Sequence, residues 1–193
     1  MQNVTGVRAV SAAAVAAALV FGLRGLVGAV VLLQWDPPEA ALLVGTVVGG
    51  IGAAVVFVAA MQARDRRALA IGVSTLAFAL AWGIPGPIGS VLYVIAQGAL
   101  IAFGVLTLRS ARGVQRAFGW IVAVAAALWF VVDLLAQTGA YLALSQEALG
   151  LVLSIPGLLQ AVAYFAAAVL VAVPLLEPVG RGLGALWSSA EVR

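Results

Sequence analysis

Residues 116–141 read RAFGWIVAVAAALWFVVDLLAQTGAY, and this stretch decides the fold. No charge intervenes between Arg116 and Asp133. Apolar side chains fall at every phase of a helical turn, not on one stripe. A helix that is apolar all round lies in a large protein core or in lipid. The run also has the length, about 20 residues, that a helix needs to cross a bilayer. An arginine-bearing segment, Arg109 to Arg116, precedes it directly.

Five more stretches of this kind flank it: 10–33, 40–61, 68–83, 88–108 and 149–175. With 117–141 they make six candidate spans. The whole chain has 193 residues, 65% hydrophobic and only 9% charged. Its mean hydropathy is +1.19. A soluble domain carries roughly 25% charged residues. A chain this short has too much surface for its volume to hide so much apolar area from water. The expected fold is therefore all-α: a polytopic bundle of about six transmembrane helices over residues 1–177. A short cytoplasmic or interfacial tail is expected at 178–193, where Arg181 and Trp187 suit a membrane interface.

The breaks between spans follow from local chemistry. Gln34-Trp35-Asp36-Pro37-Pro38-Glu39 ends the first span, because prolines cannot continue a helix and suit the start of the next. Pro85-Gly86-Pro87 turns a short third span into the fourth. Their joint length favours a hairpin over one re-entrant segment. Ser145-Gln146-Glu147 closes the fifth span, and Pro156 and Pro174 lie near the ends of the sixth. The alanine-rich run after Arg8 has signal-peptide features. Its continuation to Leu33 is too long for a signal core, so a retained first helix is expected. Asn3-Val4-Thr5 matches a glycosylation acceptor, read here as a chance match on a cytoplasmic tail.

Arginine distribution orients the spans. All ten basic residues are arginine. Arg8, the 64–67 and 109–116 clusters and Arg181 fall on one side. Asp36, Glu39 and Glu147 fall on the other, with no basic residue. Short arginine-rich loops stay cytoplasmic, so both termini are expected inside the cell membrane. The pI near 10.2 does not point to nucleic acid. The net charge is only +3, and topology already accounts for where the arginines lie. The expected surroundings are the lipid bilayer, with other membrane subunits or a second copy as possible partners. Abundant Ala, Val, Gly and Leu, with arginine in place of lysine, suggest GC-rich coding and a prokaryotic source.

Small residues mark helix contacts in lipid. Gly45, Gly49, Gly50 and Gly52 in span two, and Gly22, Gly25 and Gly28 in span one, predict that these two are buried and packed together. The G-x-x-x-G pair Gly45/Gly49 could instead form a homodimer face. Trp35 and Tyr141 suit the outer interface, and Trp120 and Trp187 the inner one. Trp82 lies near the outer end of span three, and Trp129 is deep enough to pack inside. Arg8-Ala9, Arg67-Ala68 and Arg116-Ala117 open the odd-numbered spans, a faint hint of three repeated hairpins.

Two charges fall within spans, Arg24 and Asp133. Each lies roughly two-thirds of the way across on a helix running outward. Opposite charges at one depth predict an ion pair, which would lower the cost of burying either. Helical spacing adds polar stripes: Asp133, Gln137 and Tyr141; Ser90, Tyr93 and Gln97; Gly157, Gln160 and Tyr164. If these faces converge, they line an outer-half cavity roofed by the turn at 85–87. The candidate ligand-binding residues are Arg24, Asp133, Gln97, Gln160, Tyr93, Tyr164 and Gln137. Three readings compete: a substrate site, structural glue of paired charges and cross-helix glutamines, or Arg24 reaching up to the headgroups.

The absent residues exclude chemistry. There is no histidine, cysteine or lysine. That removes histidine-bound zinc and haem, thiolate metal sites and the phosphate-loop lysine. Asp133 has no second membrane-embedded acid to pair with, and no serine has a base nearby. No enzyme, metal or cofactor is expected. The expected function is small-molecule transport or ligand binding, alone or as a subunit. The alternative is a non-catalytic structural or assembly subunit of a larger membrane complex.

Overall fold

The computed structural model describes residues 4–31, 39–84, 86–138 and 146–176. Six helices make it up: α1 (Val4–Val31), α2 (Glu39–Ala63), α3 (Arg66–Gly83), α4 (Pro87–Ser110), α5 (Gly113–Gln137) and α6 (Gln146–Leu176). Each coincides with one expected span to within a few residues. Five are long and apolar enough to cross a membrane. The sixth, α3, has 18 residues, or ~27 Å at the helical rise. The 34–38 turn, Trp35, Tyr141, Trp187, Arg181, the 178–193 tail and the side chain of Gln137 lie outside the described residues.

Local chemistry sets the helix ends. Asp65 adopts an extended backbone, and its carboxylate accepts the Arg67 and Ala68 amides at 2.9 and 3.3 Å. It thereby satisfies two of the orphan donors at the start of α3. Asp65→Ala should cost about 1 kcal/mol, read as a lower unfolding midpoint in detergent, while Asp65→Asn should keep most of the cap. Gly86 opens α4 at φ 81, a conformation that favours glycine, and Pro87 takes the first helical turn. Helix α5 stops sooner than expected. The Thr138 amide turns back to the Leu134 and Leu135 carbonyls, and its hydroxyl donates to Leu135 at 2.7 Å.

The helices form a closed ring in chain order. Each packs on the next, and α6 closes against α1. Segments of two or three residues join α2 to α3, α3 to α4 and α4 to α5, so those neighbours are antiparallel. The exterior is apolar: Val47, Ile51, Val58, Ile88, Leu128 and Leu134 are all exposed. A surface of that kind suits lipid, not water.

Two packing expectations need correction. Helix α2 does touch α1, where Gly52 meets the Ala13 carbonyl and Gly49 meets Val20 and Phe21. Yet α2 is the least buried of the five long spans, and its other face is open. The tightest seam is α1 on α6. A Cβ on Gly25 would stand 2.6 Å from the Gly157 carbonyl oxygen, and one on Gly157 would stand 2.5 Å from that of Gly25. Gly157 therefore belongs to this seam, although its spacing suggests a place on a polar stripe. Helix α6 also runs unbroken through Pro156. That proline lacks the amide that would bond the carbonyl four residues back.

Candidate functional site

Aromatic rings fill the middle of the ring of helices. On α3, Ser74, Phe78 and Trp82 recur every four residues and share a face. Phe78 is fully buried. Its ring centroid lies 5.1 Å from Phe21, 5.5 Å from Tyr93, 5.7 Å from Tyr164 and 5.9 Å from Trp129. Five helices thus meet at one waist, largely in the edge-on and tilted arrangements that ring quadrupoles favour. Trp129 is fully buried, as its depth in the sequence suggests.

Arg24 lies above this waist. Its guanidinium carbon stands 3.3 Å from the centroid of the Trp82 ring. A partly exposed stack of this kind is worth about 1 kcal/mol. One terminal nitrogen donates to the Thr46 hydroxyl on α2. The Nε donor is buried and finds no partner among the described residues. Thr46 and Trp82 hold the arginine, then, and neither cancels its charge.

Asp133 is held differently. The Gln97 amide on α4 donates to its carboxylate. The Trp129 indole lies beside the carboxylate and beside the Tyr93 hydroxyl, but closes no hydrogen bond with either. No salt bridge joins Arg24 to Asp133. The expected pair does not form because α6 separates α1 from α5 around the ring. Position along a helix can be counted from the sequence; adjacency around the ring cannot.

Gln160 and Tyr164 are buried and bonded within the chain. The Gln160 amide donates to the Phe21 carbonyl at 2.8 Å, tying α6 to α1. The Tyr164 hydroxyl and the Ser74 hydroxyl are 3.0 Å apart, tying α6 to α3 across the axis. Such cross-helix bonds contribute about 0.6–2 kcal/mol each in membrane bundles.

A pocket of about 310 Å³ opens between the C-terminal end of α3 and the N-terminal end of α4, at the expected turn. Trp82, Ile84, Gly86, Gly89, Ser90 and Tyr93 line it. Of the candidate residues whose side chains are described, Tyr93 alone does so directly. Arg24 reaches the site through the Trp82 face, and Asp133 through the group it forms with Gln97, Trp129 and Tyr93. Thr46, Ser74 and Trp82 are the partners that sequence reasoning missed. The i, i+4, i+8 spacing of Ser74, Phe78 and Trp82 carried the signal, but a count of polar groups alone passes over it. No family model matches the chain, and neither a curated protein nor a solved structure matches it.

Proposed function

We propose that this chain is a six-span protein of a prokaryotic cell membrane with both termini in the cytoplasm. In this reading it binds a small zwitterion, carrying both a carboxylate and an amine, in the outer half of the ring, as a carrier or as the binding subunit of one. The arginines at 64–67 and 109–116 support the orientation. Helix α3 packs lengthwise between α2 and α4, which supports counting it as a crossing despite its length.

One observation carries the functional reading: two opposite charges within the bundle are each held by neutral partners and left unpaired with each other. A purely structural pair would neutralise itself, since unpaired charge at membrane depth is costly. Here the Arg24 Nε donor has no partner among the described residues, its guanidinium lies on the Trp82 ring that lines an open pocket, and Trp82 and Tyr93 offer flat faces for a planar ligand. The proposal includes no catalytic step.

The test uses the purified full chain in nanodiscs, titrated with zwitterionic amino acids while the unfolding midpoint is followed. A saturable rise is expected, and Arg24→Gln should weaken it at least tenfold while the ligand-free midpoint falls only a few degrees. If no probe raises the midpoint and the chain extracts with stoichiometric other subunits, the binding reading fails. The structural-subunit reading would then gain, and the exposed α2 face bearing Val44, Val47, Ile51 and Val55 would be the surface for a neighbouring subunit or a second copy.

A further inference from the structure

We propose that the arginine-rich end of the ring carries a second, separate site for a small organic monoanion with an apolar body, with Arg67 as its anchor. A pocket of about 250 Å³ lies there on the ring axis. Every helix contributes to its wall: Ala14 of α1, Val56 of α2, Ile71 of α3, Phe103 of α4, Gln115 of α5 and Leu170 of α6. A wall built from all six helices faces the axis, so entry is from the loop end and not sideways from lipid. The ligand therefore comes from the aqueous phase. Its volume is that of about eight liquid waters, which suits a molecule of the size of benzoate or hexanoate.

Topology explains why arginines cluster at this end, but not why one of them turns inward. Arg64, Arg66, Arg109, Arg112 and Arg116 are exposed, while Arg67 is half-buried and lines the pocket. Among the described residues no hydrogen bond or ion pair reaches its guanidinium. Its guanidinium carbon lies 5.5 Å from the Phe103 ring centroid, and the Asp65 carboxylate is near enough to act on its charge. Asp65 is the one acid in these two loops and also lines the pocket, but one of its oxygens is engaged by the Arg67 and Ala68 amides. Six arginines against one aspartate give a field that draws anions to the mouth. The walls are mostly apolar, so an anion with an apolar body fits better than a bare phosphate. Arg67 would take the carboxylate through paired N–H donors, and Gln115 and Ser11 can add neutral hydrogen bonds.

The experiment titrates the full chain in nanodiscs with benzoate and hexanoate, reading intrinsic tryptophan fluorescence and the unfolding midpoint. Benzylamine, hexylamine and inorganic phosphate serve as controls. Saturable binding of the two carboxylates and none of the controls is expected. Arg67→Gln should weaken it at least tenfold, Arg67→Lys should restore part, and Arg66→Gln should leave it unchanged. Ala68→Leu, which adds bulk to the pocket wall, should abolish binding with the arginine intact. Arg24→Gln should have no effect, which separates this site from the outer one. Carboxylate binding that survives Arg67→Gln, or that Arg24→Gln removes, would overturn the proposal. So would carboxylate binding that vanishes when anionic lipid replaces zwitterionic lipid in the nanodisc, because the occupant would then be a lipid headgroup.

Discussion

Gly157→Ala should be among the most destabilising single-methyl changes in this protein. The added carbon would meet the Gly25 carbonyl oxygen at 2.5 Å and the Ala29 amide nitrogen at 2.9 Å. Both are backbone atoms of α1, so no side chain can swing aside. Either α6 moves away from α1 or the contact is strained. Overpacking of this kind costs about 1–3 kcal/mol. Movement here has a second cost, because the Gln160 bond to the Phe21 carbonyl lies one turn away. We expect Gly157→Ala and Gly25→Ala each to lower the unfolding midpoint in detergent by several degrees. Gly28→Ala is the control, since a Cβ there meets nothing within 4 Å. If Gly157→Ala behaves like Gly28→Ala, the α1–α6 seam as described is wrong. The ring would then not be closed by these glycines.

The second large effect concerns Asp133. Removing its donor with Gln97→Leu leaves a half-buried carboxylate without the one hydrogen-bond partner it has among the described residues. Loss of a neutral hydrogen-bond donor from a charged acceptor typically costs about 1.5–3 kcal/mol. Partial exposure of Asp133 argues for the lower end. Asp133→Asn should be far milder, because an amide can still accept from Gln97 through its oxygen. In the double change Gln97→Leu with Asp133→Leu, much of the loss should return. A matched cycle between Arg24→Gln and Asp133→Asn should be additive to within about 0.5 kcal/mol, as for groups that do not touch. Equilibrium unfolding of the four proteins in each cycle measures this. Strong coupling of Arg24 to Asp133, with none between Gln97 and Asp133, would restore the ion pair and remove the main support for an outer ligand site.

The apolar, membrane-compatible helices, six in number, and several of their ends were legible in the sequence, because each depends on local composition. A run such as 117–132 is apolar on every face, and Asp65, Gly86 and Pro87 open the helices that follow them. The depths of Arg24 and Asp133 also follow from counting residues along a regular helix. The choice of partners could not be read that way. It depends on the order and rotation of helices around the ring, and closure of α6 on α1 sets both. That closure turns Gly157 into a packing residue, places α6 between the two charges, gives Arg24 to Trp82 and Asp133 to Gln97, and brings six helices around Arg67. Side chains twenty to one hundred and forty positions apart meet only through this tertiary arrangement, and periodicity along one helix carries no information about its angle to the next.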